Sequence, residues 1–247
     1  DYENTKQEVI FATLLKEAVF SKPIYIKMAN IFTSSIGKKL IMSITGLFLI
    51  LFLLIHLLAN SAYIFGEEAF DAVIEFMGSP FIVIMVPVLA AGFAVHIIYA
   101  MILTIYNMRA RGSQRYAVSN KGEADSWASR NMLVLGIIVG GVLVFHLSHF
   151  WAKMQLAEFT GGHAQNGNEL MNLTFGNIWI VICYIIWFAA LWFHLTHGFW
   201  SAFQTVGANN QKWLGRLKAV SYFYATFIAL GFTTIAIFAY LKANSVI

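Results

Sequence analysis

The sequence predicts an all-α integral membrane bundle of five transmembrane helices with its N-terminus in the cytoplasm. Of the 247 residues, 59% are hydrophobic and 11% are charged, whereas a soluble domain carries charge on about a quarter of its residues. Five apolar stretches reach the roughly 20 residues that cross a hydrocarbon core. Basic residues are concentrated in alternate loops, as the positive-inside rule requires of a chain with several spans.

The predicted spans lie near residues 38–65, 80–107, 131–152, 177–205 and 217–241. The first is too long for a secretory signal and begins too far into the chain, so it is expected to be retained. Residues 1–37 mix charged and apolar positions, and we interpret them as an amphipathic cytoplasmic segment against a partner or the membrane surface. A partly ordered tail is the alternative. The chain thus divides into this segment and a transmembrane domain, residues 38–247.

Charge is distributed unevenly between the segments that join the spans. Lysine and arginine precede the first span and fill the loops after the second and fourth, while the loop after the first span is acidic. The positive-inside rule therefore places the N-terminus in the cytoplasm and the C-terminus outside. The residues are Lys22, Lys27, Lys38, Lys39, Arg109, Arg111, Arg115, Lys121, Arg130, Lys212, Arg216 and Lys218, with the acids Glu67, Glu68, Asp71 and Glu75.

Cys183 is the only cysteine in the sequence. A disulfide framework, a CxxC redox pair and a CxxCH site for covalent haem are thereby excluded. An iron–sulfur cluster held by this chain's own thiolates is excluded too, because such clusters take several cysteines. The small net charge of +4 lies in the loops, and nucleic acid is not expected as a partner.

Histidines are concentrated in the predicted spans. A histidine in hydrocarbon is costly and usually faces the bundle interior with a partner. One isolated case would favour a neutral imidazole bonded to a backbone carbonyl, but one or more on each of the first four spans favours axial ligation of haem iron. Of the seven histidines, the six within predicted spans are His56, His96, His146, His149, His194 and His197.

Depth in the membrane sorts these histidines into two layers. His56 and His149 lie near the outer ends of their spans. His96 and His194 lie about sixteen residues from the outer starts of theirs, or about 24 Å at 1.5 Å per residue, beyond the midplane. His56 with His149 and His96 with His194 are therefore the predicted pairs.

Two of these histidines have a second histidine three residues away on the same helix face. Within His146/His149 and His194/His197 the spacing alone does not choose the ligand. The other member could bond a propionate, line a quinone pocket or relay protons. Glycines in the second and third spans would leave room for a porphyrin or allow close helix packing; they are Gly92, Gly136, Gly140 and Gly141.

At these residues the chain resembles the five-helix, dihaem cytochrome b membrane anchor of bacterial succinate:quinone oxidoreductases, a class that includes quinol:fumarate reductases. The resemblance extends from about residue 31 to 240. "IHLLAN" (55–60) is similar to the segment of the first ligand, and "GEEAFDAVIEFMGSPF" (66–81) to the following outer loop. "SHFW" (148–151) favours His149 as the third ligand, and "WFHLTHGFWSAFQTVG" (192–207) favours His194 as the fourth.

The resemblance implies a subunit of complex II in the bacterial cytoplasmic (inner) membrane. Its cofactors would be two haem b groups ligated by His56, His96, His149 and His194, and menaquinone beside the outer haem. Its partners would be an iron–sulfur subunit and a flavoprotein subunit carrying FAD, and the architecture is compatible with a higher oligomer of the complex. Succinate oxidation and fumarate reduction share this architecture, so the direction of the reaction stays open.

The resemblance also suggests roles for other side chains. Glu75 is the first candidate for proton exchange with the quinone, with a solvated loop acid as the simpler interpretation, and His146 is the second candidate. His197 is a further cofactor-binding candidate, and the cations Arg130 and Lys212 are candidates for pairing with inner-haem propionates. For those cations, topology and partner contact are the simpler explanation.

One position departs from the family pattern. Trp192 stands where some dihaem fumarate reductases carry a glutamate thought to pass protons, so that path is in doubt here. The competing hypotheses are the cytochrome b of a membrane hydrogenase or formate dehydrogenase, a transporter with a histidine proton relay, and a haem-free anchor. The transporter is disfavoured because the spans lack paired acids and broken helices in repeated halves.

Overall fold

A computed structural model describes residues 34–111, 126–208 and 210–247, and within these ranges it is helical with no strand. A 3₁₀ turn spans Ala62–Phe65 and a π-helical turn spans Ala152–Leu156. The α-helices are α1 (Ser35–Ser61), α2 (Glu67–Met77), α3 (Pro80–Arg111), α4 (Trp127–Arg130), α5 (Met132–His149), α6 (Ala157–Phe159), α7 (Gly167–Phe175), α8 (Ile178–Thr205) and α9 (Gln211–Ala243).

Within the described ranges, five helical segments are long and apolar enough to cross a membrane, which agrees with the number of predicted spans. They correspond to α1, α3, α5 with its extension, α8 and α9. The fifth helix begins six residues before its predicted start, at Gln211, where the Asn210 side chain accepts a hydrogen bond from the Trp213 amide. Such a cap satisfies an N–H that the helix itself cannot. The predicted amphipathic segment lies mostly outside the described residues, because its first 33 positions are not among them.

Helix α8 lies at the centre of the bundle and packs on α9, α1 and α5, while α1 also packs on α3 and α9. Of the long helices described, α3 packs closely on α1 alone and α5 on α8 alone. Directly packed helices lie about 8–10 Å apart, and the pairs of long helices without such close contact include α1 with α5 and α3 with α8. We call the spaces between them the α1–α5 gap and the α3–α8 gap.

Short helices α2 and α7 cover one end of the bundle. The Tyr63 hydroxyl donates to Asn172 Oδ1 at 2.7 Å, and Asn168 Nδ2 donates to Asp71 Oδ1 at 2.7 Å. Lys242 near the end of α9 pairs with Glu67 at 3.3 Å. These polar contacts tie the segment between α1 and α3 to α7 and α9, so the predicted acidic loop is an ordered helix at this end.

The glycines separate into two groups by what surrounds them. A Cβ at Gly92 would meet Phe48 ring carbons at 2.7 and 2.9 Å, so this glycine allows α1 and α3 to pack closely. A Cβ at Gly136, Gly140 or Gly141 would meet nothing within 4 Å. Close packing within the described part of the chain therefore explains Gly92 but not the glycines of α5.

Replacing Gly92 with alanine is expected to destabilise the protein by about 1–3 kcal/mol, because an extra methyl in a packed contact displaces its neighbours. The measurement is the midpoint of unfolding in detergent. Gly215→Ala in α9 is the matched control. Its added Cβ would meet no atom within 4 Å, and the substitution should stabilise the protein by roughly 0.5–1 kcal/mol, because alanine loses less backbone entropy than glycine on folding. Equal effects of the two substitutions would contradict the packing role of Gly92.

Candidate functional site

His56 of α1 and His146 of α5 face each other across the α1–α5 gap. Their ring centroids are 5.9 Å apart and their planes are nearly perpendicular, at 85°. Phe52 stacks on the His56 ring at 5.2 Å, and Phe150 lies 5.2 Å from the His146 ring. The two imidazoles thus meet in aromatic, partly buried surroundings.

His96 of α3 and His194 of α8 form a second pair in the α3–α8 gap. Their centroids are 6.4 Å apart at 67° between planes. Gly46 of α1 lies against this pair, because a Cβ there would come within 3.3 Å of His96 Cε1. The structure therefore brings together the two histidines that depth predicted as the inner layer.

Protein side chains approach one particular nitrogen of three of these rings. Nδ1 of His56 lies 3.3 Å from Asn60 Nδ2, Nδ1 of His96 lies 3.3 Å from Thr45 Oγ1, and Nδ1 of His146 lies 3.3 Å from Tyr184 Oη. Within the described residues, Nε2 of His56 and of His146 has no hydrogen-bond partner. The Thr45 and Tyr184 hydroxyls can accept a hydrogen bond from Nδ1–H of His96 and His146, which leaves Nε2 of those rings unprotonated for a ligand. The Asn60 amide N–H can only donate to His56 Nδ1, which places the proton of neutral His56 on Nε2.

The histidine of α5 whose ring contacts His56 is His146 and not His149; the predicted pairing of His56 with His149 as ligands stays a prediction. Nδ1 of His149 lies 2.9 Å from the Phe145 carbonyl oxygen on its own helix, and its ring packs on Phe145 with centroids 4.1 Å apart. Three residues turn a helix by about 300°, so His146 and His149 differ by about 60° in direction as well as by about 4.5 Å in height. Height alone does not show which of them faces α1.

His197 lies one turn beyond His194 and packs on Trp200, with ring centroids 5.1 Å apart at 85°. Its Nδ1 is buried and has no hydrogen-bond partner in the described part of the chain, and the same holds for His194 Nδ1. The ring contact with His96 is made by His194. In each of the pairs His146/His149 and His194/His197, therefore, the first histidine contacts a histidine of another helix.

The remaining candidate residues are exposed. Glu75 lies on α2 at the covered end of the bundle, away from the ring contacts of the histidine pairs. Arg130 ends α4, and Lys212 lies in the first turn of α9, both at the end towards which α3 and α8 run. Their predicted roles with a quinone or with propionates stay predictions.

Two side chains that sequence reasoning missed stand next to His146. Tyr184, only 2% exposed, reaches its Nδ1, and the Trp187 ring lies 5.9 Å from its ring. Asn60 could have been found, since it is four residues from His56 and so shares its helix face. No sequence pattern indicated Tyr184 or Trp187, because their proximity depends on how α5 and α8 are rotated.

Within the described residues, no group of three or more His, Cys, Asp or Glu side chains is placed to hold a metal ion. A metal bound by protein atoms alone commonly takes four ligands, whereas haem iron takes its equatorial ligands from the porphyrin and one or two axial ligands from protein. Comparison with family models gives no match, and neither curated proteins nor solved structures give one.

Proposed function

We propose that this chain is the membrane anchor and electron-transfer subunit of a bacterial succinate dehydrogenase: a cytochrome b that passes electrons from an iron–sulfur subunit to menaquinone. The observation that supports it most directly is the presence of two histidine pairs, each joining two helices that are not in close contact. The family resemblance supplies the rest: the partners, the quinone and the orientation with the N-terminus in the cytoplasm.

The ring separations fit the holding of one metal ion by each pair. An imidazole nitrogen binds a first-row metal at about 2 Å, and the ring centroid lies about 1 Å beyond it, so two rings that shared a metal ion would have centroids about 6 Å apart. The separations here are 5.9 and 6.4 Å. Direct helix packing at 8–10 Å would leave too little room for two imidazoles and a metal between two backbones.

His56 and His146 would hold one haem b, and His96 and His194 the other. His146 stands in the proposed set in place of His149 because, among the described residues, the ring that contacts His56 is that of His146. The bond from His149 Nδ1 to the Phe145 carbonyl oxygen would leave Nε2 of His149 free as well. The haem supplies one-electron oxidation and reduction when bound. The chain's contribution would be to orient His96 and His146 through Thr45 and Tyr184 and to keep the surroundings apolar, two factors that tune a haem site.

Glu75 retains its proposed role as the group that exchanges a proton with menaquinone. It lies on α2, at the same end of the bundle as the His56–His146 pair, and is open to solvent. An exposed carboxylate can collect or release the protons that accompany quinone reduction. The basic residues at the opposite end are proposed to face the iron–sulfur and flavoprotein subunits, by charge and by the positive-inside rule.

The deciding experiment is a dithionite-reduced minus oxidised spectrum of the purified chain, with haem quantitation. Two low-spin b-type haems per chain are expected. Absence of haem from an intact, folded preparation would contradict the proposal and favour the hypothesis of a haem-free anchor. Co-purification with a flavin-containing subunit that oxidises succinate would separate this function from a hydrogenase or formate dehydrogenase cytochrome.

A further inference from the structure

Trp187 of α8 carries a buried hydrogen-bond donor that nothing in the described chain satisfies. Its indole Nε1 is shielded from solvent and has no partner. The ring lies 5.9 Å from His146, 5.6 Å from Tyr184 and 5.6 Å from Phe188. The donor therefore sits at the wall of the α1–α5 gap, next to one member of the His56–His146 pair.

An unsatisfied donor here is energetically unfavourable. A buried polar group without a partner lowers stability, and a buried tryptophan N–H normally finds an acceptor. Elsewhere on α8, Trp192 does so: its Nε1 donates to Thr226 Oγ1 at 2.9 Å. Trp187, on the same helix, has no such acceptor among the described residues, so its N–H is available to a group bound beside it.

We propose that the Trp187 indole N–H donates a hydrogen bond to an oxygen atom of the group bound beside His146. This inference rests on the proposed function. An N–H donor selects an acceptor oxygen, and two sources offer one: a carboxylate of the porphyrin or a carbonyl of the quinone. In either case Trp187 is a binding residue that fixes the orientation of its ligand.

The test compares the purified wild-type complex with Trp187→Phe and with a variant carrying β-(3-benzothienyl)alanine at position 187. The second keeps the shape of the tryptophan ring but has sulfur in place of the N–H. Trp192→Phe is the matched control, because its N–H already has a partner within the chain. Haem per chain, the midpoint potential of each haem and the Kd of 2-methyl-1,4-naphthoquinone are measured for all four proteins.

A carboxylate acceptor predicts that both position-187 variants keep their haem but lower the potential of the haem held by His56 and His146. The reason is that an uncompensated negative charge favours ferric iron. A carbonyl acceptor predicts unchanged potentials and a Kd raised about tenfold, the value of one hydrogen bond. Trp192→Phe should change neither quantity.

Three results would overturn the inference. If both position-187 variants keep their haem and show unchanged midpoint potentials and an unchanged Kd for the naphthoquinone, then neither the porphyrin nor the quinone accepts a hydrogen bond from Trp187. Haem loss in Trp187→Phe with no effect of the isosteric analogue would assign a packing role instead. A wild-type complex without haem would overturn the proposed function as well, so the two failures are distinguishable.

Discussion

His146→Ala is expected to remove the haem held in the α1–α5 gap while leaving the other in place, so that the purified protein carries half its haem. His146 is the residue of α5 whose ring meets His56, at 5.9 Å, and no other histidine of that helix has this contact within the described chain. An alanine provides no nitrogen, and iron with one axial ligand becomes high-spin or the haem is lost. Haem quantitation and low-temperature electron paramagnetic resonance of the oxidised protein measure both outcomes.

His149→Ala is the matched control for this prediction, since it lies on the same helix and is also a histidine-to-alanine change. Its ring packs on Phe145 and its Nδ1 meets the Phe145 carbonyl, so its removal should leave both haems low-spin. The resemblance of "SHFW" to the family's third ligand segment favours His149 instead. If His149→Ala abolishes one haem and His146→Ala retains two, the ring geometry has selected the wrong residue.

The contrast between these two histidines shows what the sequence could and could not predict. Hydropathy depends on composition within a window, so the five spans were found from the chain alone. Height along a helix follows from residue count, so the inner pair His96–His194 was found as well. The rotation of α5 about its axis is set by its packing against α8. The sequence of α5 contains little information on this rotation, because the helix is apolar on all sides.

The segments between spans were the least predictable part. Residues 66–81 were interpreted as an outer loop, but Glu67–Met77 is a helix whose Phe70 is buried against Tyr63. Its side-chain contacts with other parts of the chain, such as that of Asp71 with Asn168, join residues 97 positions apart. Such long-range partners are invisible to local pattern analysis, which uses spacing within a few turns.

The side chains that contact the histidines also divide into those that local sequence spacing predicts and those that it does not. Asn60 lies one turn from His56, and local spacing predicts the proximity. Thr45 reaches His96 from α1, and Tyr184 reaches His146 from α8; both contacts require knowledge of which helices are neighbours. Polar residues scattered in apolar spans are therefore informative about a site only after the helix arrangement is known.

The second large effect is expected from His194→Ala, which should remove the haem of the α3–α8 gap and interrupt electron flow at its first step in this subunit. His194 is the residue of α8 whose ring meets His96, at 6.4 Å. By the proposed orientation, that pair lies nearer the basic end where the iron–sulfur subunit would bind. Succinate-dependent menaquinone reduction should therefore be lost, whereas succinate oxidation with a soluble artificial acceptor should persist in the assembled complex.

His197→Ala is the matched control for His194→Ala, because it removes a nearby histidine of the same helix that is not a proposed ligand. His197 is also on α8, and its Nδ1 is likewise buried without a partner, but its ring packs on Trp200 rather than on His96. It should therefore retain both haems and menaquinone reduction. If His197→Ala loses one haem and His194→Ala keeps both, then His197 and not His194 is the ligand, and the proposed assignment is wrong. Loss of the artificial-acceptor activity in His194→Ala would instead indicate that the complex no longer assembles, and haem content relative to the flavoprotein subunit then decides between the two causes.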